Sequence, residues 1–219
     1  MMYKQIPEVA YPNREVIASI PVIECGEPLV EIVPTDRIFL REGSKFLVPK
    51  LRKSVYEKLV EASEKLPDGY CFQVMSAYIP ISLQQDVWNG KWWKVSKRYW
   101  YIWWALPKNI KERLVRKYSA YPKKGAPHNT GGAVDVALVD KNKNLISVGG
   151  IFGSADETAH TRYEKITDEE KKNRSILYYA MIDVGFVNQP FEWWHYSYGD
   201  KTWAVLTDSK NAIYDGVEI

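Results

Sequence analysis

Apolar and polar positions alternate along the chain in patterns that define most of its elements. From Pro49 to Leu66, the residues Leu51, Val55, Leu59, Ala62 and Leu66 recur at helical spacing with Lys, Arg and Glu between them, which predicts an amphipathic helix. A Pro67-Asp68-Gly69 turn follows. Tyr70 to Met75 then reads as a short core strand, ended by Tyr78-Ile79-Pro80. Pro107 opens a further helix running to about Tyr118, since proline in the first turn gives up no needed hydrogen bond. Gly132 to Val139 predicts a strand, Asp140 to Asn144 a polar turn, and Leu145 to Val148 its hairpin partner. Thr167 and Glu170 form a capping box; Ile176, Leu177, Ala180, Met181 and Val184 give the helix that follows an apolar face, and Gly185 stops it. Strands at Trp193 to Tyr198 and Trp203 to Leu206 are expected to close the sheet. Helices flanking an antiparallel sheet make an α+β fold, expected as a single domain over residues 1–219.

One segment has no clear period. Trp88, Trp92, Trp93, Tyr99, Trp100, Tyr101, Trp103 and Trp104 crowd into residues 81–106. Rings of this size bury area in a core or a dimer contact, and one or two lining a ligand cleft is the alternative.

Composition narrows the class. The hydrophobic share of 46% suffices for one ordinary core in 219 residues. A formal charge of +3 is spread along the chain rather than gathered in a basic stripe, so no nucleic-acid partner is expected. The small excess at Lys117, Lys123 and Lys124 reads as a solvated face. Cys25 and Cys71 match no metal or redox spacing and are expected as reduced thiols. The start of the chain lacks a secretory h-region and no apolar run approaches eighteen residues, so a cytoplasmic protein without a membrane partner is expected. The oligomeric state is not legible.

The three histidines sit in distinctive settings. His128 opens a loop that passes through Gly131 and Gly132 into the strand carrying Asp135, and close folding of those glycines lets the two side chains converge. His195 ends Glu192-Trp193-Trp194-His195. Two imidazoles and a carboxylate are a ligand set for a catalytic zinc, which lowers the pKa of its water to roughly 7 and polarises a carbonyl. Glu192, three residues from a ligand, is placed to handle the proton of that water in peptide hydrolysis. Each piece also has a structural reading: a loop histidine, a turn-capping Asp135, a packed strand end. His160 is expected to be a hydrogen-bonding loop residue.

The motifs His128-x-x-Gly131-x-Ala133-x-Asp135 and Glu192-Trp193-Trp194-His195 resemble those of the D-alanyl-D-alanine dipeptidases, relatives of the vancomycin-resistance dipeptidase among the zinc DD-peptidases. Leu40-Arg41-Glu42-Gly43, Tyr78-x-Pro80, the 149–161 loop and the helix after Thr167 follow in the same order, so the resemblance spans about residues 25–206. It implies zinc held by His128, Asp135 and His195, Glu192 as catalytic base acting on the zinc-bound water, and a small peptide such as D-Ala-D-Ala as substrate. Tyr78, Ile79, Ala126 and Phe152 occupy its substrate-facing positions. Three positions depart from the family. Ile79 stands where the family has an arginine that steadies the oxyanion, Ala126 where it has a serine, and Gly153 where an aspartate follows the phenylalanine. Losing one oxyanion donor commonly costs about 100- to 1000-fold in rate. Two other readings therefore stay open: an amidase of the DD-carboxypeptidase kind acting on cell-wall stem peptides, and a catalytically weakened zinc-binding paralogue.

Overall fold

The computed structural model describes residues 3–44, 47–115, 125–154 and 156–218. In chain order its elements are α1 (Arg14–Ser19), β1 (Leu29–Glu31), β2 (Ile38–Leu40), β3 (Lys50–Arg52), α2 (Lys53–Glu64), β4 (Cys71–Ser76), α3 (Ile81–Arg98), α4 (Trp100–Trp103), α5 (Lys108–Val115), β5 (Ala133–Val139), α6 (Asp168–Ile182), β6 (Val187–Asn188), β7 (His195–Ser197) and α7 (Lys201–Leu206). The main sheet runs β2-β4-β5-β7-β6, and β1 pairs with β3 in a second, two-stranded sheet. Mixed helix and sheet match the α+β expectation. The basic residues at 117, 123 and 124, and the end of the helix expected to reach Tyr118, lie outside the described residues.

Strand β5 is the centre of the fold, buried at all seven positions between β4 and β7. On one face of the sheet Phe72, Val74, Val136, Leu138 and Tyr196 pack with Val55 and Leu59 of α2 and Leu177 and Met181 of α6. The capping box at the start of α6 forms as expected: the Thr167 hydroxyl accepts from Glu170 N–H, and the Glu170 carboxylate accepts from Thr167 N–H.

Four expectations are corrected. The helix expected from Pro49 starts only at Lys53, as α2, because residues 50–52 pair with β1 and Leu51 is buried as a strand residue. The sheet is not wholly antiparallel, since β2 joins β4 in parallel, with α2 lying in the crossover that such a pair needs. Leu145 to Val148 forms no strand: β7 takes the β5 edge as far as Val136, leaving room only for a Val139–Leu145 bridge and one bond from Ile146 N–H to Leu138. Finally, Trp203 to Leu206 is helix, because Asp200 accepts from Trp203 N–H at 2.8 Å and caps α7; an apolar run this short does not reveal its period. Strand β6 closes the edge instead, and β7 begins only at His195.

The aromatic segment is helical and divides in two. Trp88, Val95 and Val115 are buried with Trp92, Tyr99, Trp103 and Leu114 in a small cluster separate from the main core. Trp93, Trp100, Tyr101 and Trp104 remain outside, more than half exposed.

Two glycines set the loop before β5. Gly131 has φ +72°, and a Cβ on Gly132 would stand 2.5 Å from the Tyr198 carbonyl oxygen. Gly132→Ala is therefore expected to destabilise the protein by about 1–3 kcal/mol. Gly90, in mid-α3 with open space around it, gives the opposite sign: Gly90→Ala stabilises by about 0.5–1 kcal/mol. Thermal denaturation of the two variants measures both.

Candidate active site

His128 lies in the short 3-10 turn Pro127–Thr130 that leads into β5. Its Nδ1 is 2.8 Å from the Ala77 carbonyl oxygen, so Nδ1 carries the proton and Nε2 presents a lone pair. The turn is held from three sides. The buried Asn129 amide donates to the Val217 carbonyl (3.0 Å) and the Glu218 carboxylate (2.9 Å), while Val217 N–H donates back to Asn129 (3.0 Å). Arg52, 3% exposed, donates from Nε to Thr130 O and from its backbone N–H to Gly131 O. Its guanidinium also reaches both Glu24 carboxylate oxygens at 3.1 Å and the carbonyls of Glu27 and Asp215. Tyr78 and Ile79 brace the same turn: the Tyr78 hydroxyl donates to Val217 O, and Ile79 N–H donates to His128 O.

Asp135 and His195 face each other as register partners on β5 and β7. On the other side Asp135 pairs with Ser76, after a bulge in which β4 uses two steps, Val74 to Ser76, for one step of β5. Such a bulge bends a strand and redirects its end, here bringing the Ala77 carbonyl to His128. Asp135 Oδ1 is 2.9 Å from His195 Nδ1 and 3.3 Å from His128 Nε2. The two rings stand edge to face, with centroids 4.8 Å apart. Ser197 Oγ lies 3.3 Å from His195 Nε2, which leaves Nδ1 to face the centre.

Glu192 belongs to the turn between β6 and β7. Its N–H donates to Gln189 O, His195 N–H donates to Glu192 O, and the Asn188 amide donates to the carbonyls of both Glu192 and His195. Trp193 N–H anchors the turn to Ala159. On the outer side Tyr11 packs edge-on against Phe191, with centroids 5.8 Å apart.

The charges in this cluster are strongly coupled. Burial opposes ionisation of Asp135, but the two imidazoles outweigh it and hold the carboxyl far below the usual range. Burial likewise opposes charge on His195, yet the hydrogen bond and charge of Asp135, helped by Glu192 and Asp200, push it up to about 9. For Glu192 burial dominates: it raises the carboxyl, with the Asp135 charge adding to the rise and both imidazoles opposing it. An acid shifted up in this way sits closer to the pH range in which a group accepts and returns protons.

His128, Asp135 and His195 each offer one ligand atom, all within 4.8 Å of one another. The donor set fits a divalent cation, because each imidazole has its outer nitrogen beside Ala77 O or Ser197 Oγ and points its remaining nitrogen at Asp135, where a cation would take the place of the proton. The remaining expected residues take distinct places. Ile79 and Ala126 flank His128, Ala126 accepting from Thr130 N–H. Phe152 packs on Trp194 at 5.3 Å, with the Arg41 guanidinium 5.7 Å from its ring centroid. Gly153 has φ +74° and open space where a side chain would be. The fully buried Tyr78 ties the chain's end to the site wall. His160 packs against Phe191.

Residues 36–213 match the family described as D-Ala-D-Ala dipeptidase, within the M15 peptidases. The chain belongs to that family. It is thus a metallopeptidase by family, and His128, Asp135, Glu192 and His195 all lie inside the matched span. A D-alanyl-D-alanine dipeptidase of Synechocystis is 27% identical over 223 residues, covering 85% of this chain and 87% of that protein. The dipeptidase of Enterococcus faecium is 30% identical over 129 residues (52% and 62%), and that of Escherichia coli K12 is 32% identical over 72 residues (33% and 37%). A solved LD-carboxypeptidase overlays with a TM-score of 0.48 at 17% identity, covering 87% of this chain and 76% of that one.

Sequence reasoning did not find Ser197, although its two-residue distance from His195 on a strand puts both side chains on one face. The Ala77 carbonyl had no signal, being a backbone group delivered by a bulge. Metal content by mass spectrometry tests the trio. Asp135→Ala and His195→Ala are expected to abolish binding of a divalent ion, whereas Ser197→Ala retains the ion with about 10- to 100-fold weaker affinity under chelator competition. Undiminished binding in Asp135→Ala contradicts the assignment.

Proposed function

We propose that the chain is a zinc-dependent dipeptidase acting on D-Ala-D-Ala or a related small dipeptide. The observation that carries this reading is the convergence of His128, Asp135 and His195 with the carboxylate of Glu192 electrostatically coupled to all three. The relatives named D-alanyl-D-alanine dipeptidases support the substrate class.

In this reading His128 Nε2, Asp135 Oδ1 and His195 Nδ1 hold the zinc. When bound, zinc supplies Lewis acidity, polarising the scissile carbonyl and making water acidic enough to ionise near neutrality. Glu192 accepts the proton of the attacking water and delivers it to the departing amine. The Ala77 carbonyl fixes the His128 tautomer, and Ser197 holds the orientation of the His195 ring.

Ile79 modifies the expected efficiency. Its side chain donates no hydrogen bond to a developing oxyanion, so turnover on D-Ala-D-Ala is expected to be slower than with an arginine at this position. The absence at Gly153 of the family's aspartate, which would clasp a free amino terminus, motivates a second reading, in which the substrates are longer cell-wall stem peptides.

A coupled assay for released D-alanine tests both. Chelation is expected to remove activity and zinc to restore it. Glu192→Ala should lower kcat by about 10²- to 10⁴-fold while the metal stays bound. Ile79→Arg should raise kcat, by up to about 100-fold. If tetra- and pentapeptides are cleaved faster than dipeptides, the second reading replaces the first. No turnover of any D,D- or L,D-peptide above the Glu192→Ala background, with zinc bound and Ile79→Arg without effect, leaves the weakened paralogue.

A further inference from the structure

The aromatic lobe formed by α3, α4 and α5 has its own small core, and it leaves uncovered an apolar surface that its own packing does not require. Between residues 93 and 104, Trp93 is 68% exposed, Trp100 75%, Tyr101 58%, Trp104 81% and Ile102 39%. Single exposed rings are ordinary, but a patch of this density marks an interaction surface. Its charge is equally biased. From Ile81 to Val115 seven Lys and Arg stand against Asp86 and Glu112, a local +5 in a chain whose total is +3. From Lys91 to Leu106 there is no Asp, Glu, Asn or Gln at all.

We propose that this lobe docks on the surface of an anionic phospholipid bilayer. Trp and Tyr rings settle at the headgroup level, where one end of the ring is dry and the other wet. Lys94, Lys97 and Arg98, beside those rings on α3, reach the lipid phosphates while their methylenes lie along the apolar layer. A glycan partner would call for carboxylates and amides to bond its hydroxyls, and the patch has none. No helix among the described residues is long and apolar enough to cross a membrane, so the lobe lies on the surface rather than spanning it. The sequence-level expectation of no membrane partner rested on the lack of a span and does not bear on such an element. This docking is independent of the dipeptidase reading.

The full chain, sedimented with vesicles, provides the test. Phosphatidylcholine vesicles containing about 30% phosphatidylglycerol are expected to bind it at least about 10-fold more tightly than phosphatidylcholine alone, and about 0.5 M salt should weaken the binding. Tryptophan emission should shift to the blue on binding. Trp100→Ser with Trp104→Ser, and separately Lys94→Glu with Lys97→Glu, should each cost about 10-fold or more. All four residues are exposed, so circular dichroism is expected to show an unchanged fold. The proposal is overturned if neither vesicle sediments the protein, or if the variants bind as well as the parent. It is also overturned if ultracentrifugation shows a dimer that Trp100→Ser with Trp104→Ser converts to monomer, since the patch then covers a second copy. Retention on purified glycan strands without vesicle binding overturns it as well.

Discussion

The antiparallel pairing of β5 with β7 sets Asp135 against His195, and the rest of the structure can be understood as holding a third donor, His128, within reach of that pair. Bringing an anion and two imidazoles into a buried space is costly unless each polar atom has a partner. Here the hydrogen bonds run outward in order. Ala77 takes one imidazole, Ser197 the other, and Arg52, Asn129 and the chain's last residues secure the turn from which His128 projects. What remains are three donor atoms turned toward a common centre, where a divalent cation would replace the proton that Asp135 now shares with His195.

The architecture explains how residues 60 to 67 positions apart in sequence meet at this centre. Strand β5 is buried along its whole length, so its register is fixed by both neighbours, and slipping by one residue would turn Asp135 into the core. The β4 bulge then aims the strand end at the His128 turn. Downstream, the same strand end runs through Ile79 and Pro80 into α3, the helix that opens the aromatic lobe.

Much of this was legible in the residues themselves. The α2 and α6 periodicities, the capping box at Thr167, and the core strands near 71 and 133 rest on local rules that the tertiary structure does not override. The convergence of His128, Asp135 and His195 was legible because imidazoles are scarce in this chain and the glycines between His128 and Asp135 let the loop fold back on itself. Other features had no local signature. The helix at Lys201 looked like a strand because four apolar residues carry no period, and its capping Asp200 gains meaning only beside a buried helix start. The parallel β2 depends on a crossover through α2, a pairing set by distant chain. Arg52 reads as one of several basic residues on a helix, yet the β1–β3 pairing turns it inward to bind four carbonyl or carboxylate partners. The aromatic run offered only composition, and folding alone decided which rings went inside.

X-ray absorption at the zinc edge of the purified protein tests the central claim most directly, since it reads the donor atoms themselves. The account predicts bound zinc with nitrogen and oxygen scatterers at about 2.0–2.2 Å and the outer-shell pattern of two imidazoles. A spectrum with sulfur at about 2.3 Å, with a single imidazole, or with no zinc retained would contradict it.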